Sequence, residues 1–208
     1  MVSSQANCSL PEFGPEPDTV IWATRTSITA NVENLPQNRN NRRMRLSFAL
    51  ATESDVAAIA ALRTAVADRL TADHGPGHWS SAVTSRSVSL ELRAAKLVIA
   101  LHGTDLVGTL TLARKKPWAI DPAYFSPVPR PLYLTSMAVD PVNQRRGVGR
   151  HLLEAARDAA RTLQGDAIRL DAYDAPAGAG GFYHRCGFRE VGRVTYRKTP
   201  LIYFELLL

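Results

Sequence analysis

Apolar and polar residues in this chain follow two periods, which divide residues 45–208 into strands and helices. Apolar residues recurring every three or four positions indicate helices with one buried face, and short apolar runs bounded by turn residues indicate strands. Strands are predicted at residues 45–51, 97–101, 106–112, 132–139, 168–173, 190–194 and 201–207. Helices are predicted from about residue 53 to 72, near 85–94, from 148 to 163 and at 178–185.

The predicted helices have recognisable ends. Thr52 is placed as an N-cap with Asp55 three residues later, and Gly75-Pro76-Gly77 stops the first helix. The third helix ends at Gln164-Gly165. The element order β-α-α-β-β-β-α-β-α-β-β predicts a mixed α/β fold, with helices on both faces of one mixed sheet.

Two segments outside the helices suggest a function: a long loop and an apolar C-terminal strand. Residues 114–131 are rich in proline and aromatic residues and form a long predicted loop, and loops of that length are usually functional or mobile. Residues 201–208 are strongly apolar, so we considered them for the interface of a homodimer.

Residues 1–44 differ from the rest of the chain. Four prolines interrupt them, and residues 38–43 are all polar, so we predict a mostly disordered leader followed by one domain at residues 45–208. A targeting or nucleic-acid-binding arm is the alternative. Met44 stands immediately before the folded pattern and is a candidate natural start.

Charge and cysteine content limit the classes of binding partner and the cellular compartment that the sequence favours. The net charge is +6 with a pI near 9.7, which suits an anionic partner. The basic residues are scattered, so nucleic acid is an unlikely partner. No apolar run approaches the roughly 20 residues of a membrane span, and no secretory signal is visible. Cys8 and Cys186 lie far apart, which favours free thiols in the cytoplasm.

The most informative segment is the junction between the strand at residues 132–139 and the helix after residue 147. A strand leading through an Arg- and Gly-rich loop into a helix points backbone N–H groups and the positive end of a helix dipole at one spot, which binds phosphate. Gly147 and Gly149 allow the backbone to approach a ligand closely. Arg145, Arg146 and Arg150 add guanidinium donors.

The loop does not match two common phosphate-binding motifs. A Walker loop would end in Gly-Lys-Ser/Thr, and a dinucleotide fingerprint would have a third glycine where Leu152 stands. The order Gln144-Arg145-Arg146-Gly147-Val148-Gly149 instead resembles the acetyl-CoA loop of the GNAT superfamily of N-acetyltransferases. The preceding residues 137–141, Met-Ala-Val-Asp-Pro, and the later residues 181–188, Gly-Phe-Tyr-His-Arg-Cys-Gly-Phe, resemble the same family.

The resemblance implies a GNAT fold from residue 45 onward, with a mostly antiparallel sheet whose two central strands splay apart. It also implies acetyl-CoA as co-substrate and no metal. The pantetheine arm is then expected against the backbone of Met137, Ala138 and Val139. The pyrophosphate is expected at Gln144, Arg145, Arg146, Gly147, Val148, Gly149 and Arg150.

Tyr183 matches the family tyrosine that protonates the leaving thiolate, and a phenol near the sulfur is chemically suited to that role. Packing beside Phe182 is the alternative role for Tyr183. A covalent role for Cys186 is conceivable but disfavoured, because the family transfers acetyl directly. Many relatives carry an asparagine before the tyrosine helix, and here Asp174 or its turn replaces it.

The acceptor side is less clear from the sequence. No carboxylate or histidine lies on residues 133–136, so a water held by Thr135 or Ser136 is one candidate base. His74 and His78 are further candidate bases, because histidine has an ordinary pKa near neutral pH. Two histidines four residues apart on a helix could bind a metal ion, but Gly75-Pro76-Gly77 prevents a helix between them. Residues 74–79, the second helix and residues 115–121 are expected to form the acceptor pocket. The substrate-binding candidates are Trp118, Asp121 and Thr135. Trp118, Tyr124 and Phe125 are expected either to line a pocket for an apolar or planar substrate or to form a small satellite core.

Together these features predict a cytoplasmic, acetyl-CoA-dependent N-acetyltransferase that acts on the primary amine of a small molecule. Peptide or protein acetylation is the alternative within the enzyme class. A non-catalytic acyl-CoA sensor remains a third hypothesis, because no base is evident and the asparagine is replaced.

Overall fold

The predicted strands assemble into one seven-stranded sheet within residues 44–208, the part of the chain that this computed structural model describes. The strands are β1 Leu46–Leu50, β2 Lys96–His102, β3 Asp105–Ala113, β4 Pro131–Val139, β5 Ala167–Tyr173, β6 Arg189–Tyr196 and β7 Thr199–Leu207. The α-helices are α1 Val56–His74, α2 Ser85–Ala94, α3 Val148–Thr162 and α4 Gly180–Arg185. The predicted elements are all present, with strand ends within two residues of their predicted positions.

The predictions for the N-terminal segment fall almost entirely outside the described residues. The proposed leader at residues 1–44 and the thiol of Cys8 belong to that segment. Met44 is described and packs, partly buried, against the main core.

Strand order explains where the sheet opens. The order is β1-β2-β3-β4-β5-β7-β6, and every neighbouring pair is antiparallel except β4 and β5. The parallel β4–β5 ladder contains three residue pairs, from Pro131 opposite Ala167 to Tyr133 opposite Arg169. Beyond Tyr133 the two strands part, while β4 continues to pair with β3 as far as Val139. The expected splay of the central strands is therefore present.

A β-bulge lies where the strands part. Thr111 of β3 pairs with Thr135 and Thr109 pairs with Ala138, so β4 has one extra residue between these pairs. Ser136 accommodates it with a φ of 51°, in the left-handed region. A bulge bends its strand and increases the local twist, so it redirects the end of β4 away from β5.

The main core lies between the sheet and α3. The apolar stripe predicted for α3 is buried there, and Leu163 packs against its edge. A second core cluster packs α1 and α2 against β2 through residues such as Ile59, Val88 and Ile99. The sheet is thus covered on both faces, as the element order predicted.

The long loop at residues 114–130 is packed against the sheet. Ile120 and Phe125 are buried against Tyr203 of β7. The backbone N–H and hydroxyl of Ser126 donate hydrogen bonds to Glu205, which also pairs with Arg169 of β5 at 3.2 Å. Buried apolar residues and a buried ion pair therefore hold this loop in place.

The apolar C-terminal strand is internal to the sheet. β7 lies between β5 and β6, and residues 201–206 are buried. Its hydrophobic character is explained by burial within the chain, so the reason given for considering it as a dimer interface was wrong. Homodimerisation itself stays a prediction.

No helix among residues 44–208 combines the length and the hydrophobicity that crossing a bilayer requires.

Candidate active site

The opening between β4 and β5 exposes backbone hydrogen-bonding groups. From Leu134 to Val139 the side of β4 that faces β5 has no strand partner in the described part of the chain. Backbone N–H and C=O groups need partners when they are shielded from water, so an extended ligand can bind here as an additional strand would. Met137, Ala138 and Val139 lie on this segment, as predicted.

The loop after β4 is preorganised for an anion. Arg145 and Gly147 adopt left-handed conformations, with φ of 59° and 86°, and Gly147 is the N-cap of α3. Alternating left-handed residues turn successive N–H groups toward one side, and the α3 dipole adds positive potential. Arg145, Arg146 and Arg150 are exposed, and within residues 44–208 none of them forms an ion pair. This arrangement is suited to binding a phosphate group.

Two predicted loop residues have structural roles. The side-chain amide of Gln144 donates a hydrogen bond to the carbonyl of Val139 at 3.1 Å, which ties the loop to the end of β4. A Cβ on Gly149 would lie 3.1 Å from the ring of Phe182 and 3.5 Å from Met137. Gly149 therefore allows α4 to pack against α3, whereas close backbone approach to a ligand remains available at Gly147.

Tyr183 lies at the base of the opening. Its side chain is 7% exposed and packs against Phe182, Phe188 and Phe204. Its hydroxyl donates to the sulfur of Met137 at 3.7 Å, and a thioether is only a weak acceptor. Burial raises the pKa of Tyr183 far above its ordinary value, and the nearby Asp171 and Cys186 add to the increase. The phenol therefore keeps its proton and can donate it to a stronger acceptor.

Asp171 is a candidate that the sequence interpretation missed. It lies on β5, between Leu170 and Ala172, which point into the main core, so its carboxylate faces the opposite side of the sheet. Burial raises the pKa of Asp171, and the neighbouring His78 offsets part of the increase. The apolar–polar alternation of residues 168–171 could have indicated this residue, because it places the carboxylate of Asp171 on the face of the sheet opposite the core.

Aromatic side chains lie at the C-terminal end of β5. The rings of His78 and Trp79 lie 4.8 and 5.3 Å from that of Tyr173. His78 therefore lies close to Asp171, as its effect on the Asp171 pKa also indicates. His74, the other histidine of the predicted pocket, is exposed at the end of α1.

None of the other predicted acceptor residues takes part in the ring contacts of His78, Trp79 and Tyr173. Trp118 is 85% exposed. The carboxylate of Asp121 accepts a hydrogen bond from the backbone of Ala123 at 3.0 Å, which caps a short turn. Tyr124 and Phe125 pack against Tyr203, in agreement with the satellite-core alternative. Thr135 lies on β4 where the strands part.

The turn between β5 and α4 has its own anchor. Both carboxylate oxygens of Asp174 accept hydrogen bonds from Arg193 at 2.9 and 3.1 Å, and Arg193 also binds Glu190. The backbone N–H of Asp174 donates to Pro200 at 2.9 Å. β6 and β7 therefore hold the turn between β5 and α4 through Asp174.

The turn should tolerate no side chain at Gly178. A Cβ there would lie 1.7 Å from the carbonyl oxygen of Tyr173, which is backbone and cannot move aside. Gly178→Ala should lower the free energy of unfolding, measured by urea titration, by about 1–3 kcal/mol, the usual cost of overpacking. Gly181→Ala is the matched control, because its nearest neighbour is the flexible Arg185 side chain, and it should cause no loss. Equal stability of the two variants would contradict this account of the turn.

Comparison with known proteins identifies the arrangement. Residues 93–190 match the family model described as the acetyltransferase (GNAT) domain. This span contains the strand opening, the anion-binding loop and Tyr183. The chain contains a GNAT acetyltransferase domain. The predicted family and fold are thereby confirmed.

Solved structures share this fold across most of the chain. A ribosomal-protein-alanine N-acetyltransferase from Brucella melitensis is 18% identical, with a TM-score of 0.60 over 77% of this chain and 99% of that one. The protein yncA from Salmonella typhimurium, with its cofactor acetyl-CoA, is 18% identical, with a TM-score of 0.58 over 78% and 94%. The PaiA N-acetyltransferase from Thermoplasma acidophilum, in complex with coenzyme A, is 12% identical, with a TM-score of 0.61 over 79% and 100%.

No curated protein matches the chain. Residues 44–208 contain no group of three or more histidine, cysteine or acidic side chains that could hold a metal ion.

Proposed function

We propose that the chain transfers the acetyl group of acetyl-CoA directly to the primary amine of a small molecule. The observation that carries this proposal is the position of Tyr183 and Asp171 around one opening in the sheet, with the anion-binding loop beyond it. In the reaction a C–N bond forms and the thioester C–S bond breaks. The amine loses a proton and the departing thiolate gains one.

The cofactor half of the proposal rests on the end of β4 and the loop that follows it. Along Met137, Ala138 and Val139 the side of β4 that faces β5 has no strand partner among the described residues, which suits an extended amide-containing arm. Gly147 and the three arginines without an ion pair within residues 44–208 suit a pyrophosphate. A backbone N–H on the same segment would stabilise the oxyanion that develops on the thioester carbonyl.

Tyr183 is proposed as the proton donor to the thiolate. Its hydroxyl already points to a sulfur atom on β4, and its raised pKa keeps it protonated at physiological pH. A thiolate is a much stronger hydrogen-bond acceptor than the thioether of Met137, so the hydroxyl can hydrogen-bond to the sulfur and share its proton as the C–S bond breaks.

Asp171 is proposed as the proton acceptor for the amine, directly or through a water molecule. A carboxylate whose pKa is raised by burial is a stronger base than a solvated one, and Asp171 has no ion-pair partner in the described part of the chain. This removes one ground for the non-catalytic sensor hypothesis, namely the absence of an evident base. We further propose a cytoplasmic setting, which the free thiol of Cys186 supports.

Isothermal titration with acetyl-CoA tests the cofactor half. The wild type should bind, and Arg146→Ala/Gly147→Ala should bind at least about tenfold more weakly, because one charge-assisted contact contributes about 1.5–3 kcal/mol. Tyr183→Phe should bind normally and release thiol more slowly once an amine is supplied.

Arg161→Ala is the charge-matched control for the loop variant. Arg161 is an exposed arginine in the last turn of α3, at the opposite end of the helix from the loop. Its loss should leave the dissociation constant unchanged. Failure of the wild type to bind acetyl-CoA would overturn the proposed function.

A further inference from the structure

Three aromatic rings form a continuous wall beside Asp171. His78, Trp79 and Tyr173 contact one another pairwise, with ring centroids 4.8 to 5.3 Å apart and edge-to-face geometry. Two of these rings come from the loop after α1 and the third from the end of β5. We call these three residues the aromatic wall.

The aromatic wall is held in place by its own loop. A Cβ on Gly77 would lie 2.6 Å from the ring of Trp79, so the chain at Gly77 runs directly against the indole. The hydroxyl of Ser80 accepts a hydrogen bond from the backbone of Gly77 at 2.9 Å and bonds to Thr71 of α1 at 2.7 Å. The ring positions are therefore preorganised, which lowers the entropic cost of binding a ligand against them.

The aromatic wall is only partly covered by the rest of the chain. His78 is exposed, and Trp79 and Tyr173 are partly exposed. Aromatic faces at this level of exposure can still be covered by a flat apolar group.

The charge around the wall limits how many cationic groups a ligand can carry. Asp174, on the turn after β5, is paired with Arg193, and Glu91 of α2 is paired with Arg63. Asp171 has no such partner, and His78 is the neighbouring group that acts on its charge. One unpaired carboxylate beside three rings suits one amine nitrogen attached to an apolar body.

We propose that the acceptor is a primary monoamine carried on an aromatic or flat apolar body, which packs against the aromatic wall while its nitrogen lies beside Asp171. This inference rests on the proposed acetyl transfer and names the substrate class for that site. Polyamines and amino sugars with several ammonium groups are poorer acceptors, because their further cations meet a chain of net charge +6.

Acetyl transfer to a panel of amines tests the inference, with released CoA thiol as the readout. The probes are 2-phenylethylamine and tryptamine as aromatic monoamines, and putrescine and spermidine as polyamines. We expect kcat/KM to be at least about tenfold higher for the aromatic amines, since a well-packed ring is worth about one decade in affinity. Trp79→Ala should raise KM for 2-phenylethylamine about tenfold and leave KM for acetyl-CoA unchanged, and Trp79→Phe should restore part of the loss.

Further variants separate recognition from folding. Tyr173→Leu is a second change in the wall, with the same expected effect on the amine KM. Leu207→Ala, an exposed apolar residue opposite Ala167 at the far end of β5, is the control and should change neither KM. Trp118→Ala tests the competing acceptor surface that the sequence indicated.

The outcomes distinguish the two proposals. If the wild type does not bind acetyl-CoA, the proposed function itself is contradicted. Normal binding with preference for polyamines, or with no panel amine acetylated, overturns the acceptor class alone. A KM change in Trp118→Ala but not in Trp79→Ala also overturns it, because the acceptor would then contact the loop at residues 114–130.

Discussion

Asp171→Asn should lower kcat/KM for acetyl transfer by about 10²- to 10⁴-fold, the usual contribution of a general base, and should at the same time raise the thermal midpoint of the protein. Asparagine keeps the shape and polarity of the side chain but cannot accept the proton of the amine. The two effects have opposite signs because burial, which makes Asp171 a stronger base, also makes its ionised form unfavourable in the folded protein.

The pH dependence follows from the same shift. The folded pKa of Asp171 is raised, so the folded state binds more protons than the unfolded state between the unfolded and the folded pKa. Stability linked to Asp171 is therefore lost as the pH rises through that window. The difference in thermal midpoint between wild type and Asp171→Asn should be larger at pH 7 than at pH 4, and wild-type kcat/KM should fall as the pH drops through the raised pKa.

Asp158→Asn is the matched control. It removes the same charge from an exposed position on α3 and should leave kcat/KM unchanged. If Asp171→Asn retained wild-type kcat/KM at every pH, a water on Thr135 or Ser136 or the free amine itself would have to account for the deprotonation.

Glu205→Ala should lower the free energy of unfolding by about 3–5 kcal/mol, the usual cost of leaving one member of a buried ion pair alone. Arg169 is 4% and Glu205 2% exposed, so the guanidinium would remain desolvated without its partner. Although burial alone opposes ionisation of Glu205, hydrogen bonds from Ser126, Arg189 and Arg169 outweigh it and hold its pKa below the ordinary value. The stability linked to Glu205 is thus present above the unfolded pKa and lost as the pH falls through the folded one.

Chemical denaturation at pH 7 measures this effect. The double variant Arg169→Met/Glu205→Leu removes both charges together and should recover most of the loss, since apolar residues of similar volume often replace a buried pair without net cost. A loss as large in the double variant as in Glu205→Ala would mean that packing, rather than an unpaired charge, is responsible.

Local sequence was sufficient for the parts of the site that are contiguous in the chain. The end of β4, the loop at residues 140–147 and α3 follow one another directly, so their periodicity and glycine positions predicted them together. The GNAT fold followed from the resemblance of three short motifs, and the family match confirmed it.

Contacts between distant segments could not be predicted in the same way. Asp171 and His78 are separated by 93 residues, and only the folded chain brings the loop after α1 to the end of β5. Trp79 and Trp118 look equally suitable in sequence, but one packs against Tyr173 and the other is almost fully exposed. Gly149 was expected to admit a ligand, whereas a ring from α4 lies against it.

The three-pair β4–β5 ladder divides the protein into two half-sheets, β1 to β4 and β5 to β7, joined along a short seam. Of the six neighbouring strand pairs, this one contributes the fewest residue pairs to the cohesion of the sheet. A molecule that hydrogen-bonds to β4 in the opening and also contacts β5 would add contacts between the two half-sheets. Ligand binding in the opening is therefore expected to stabilise the contact between the two half-sheets and to raise the free energy of unfolding of the protein.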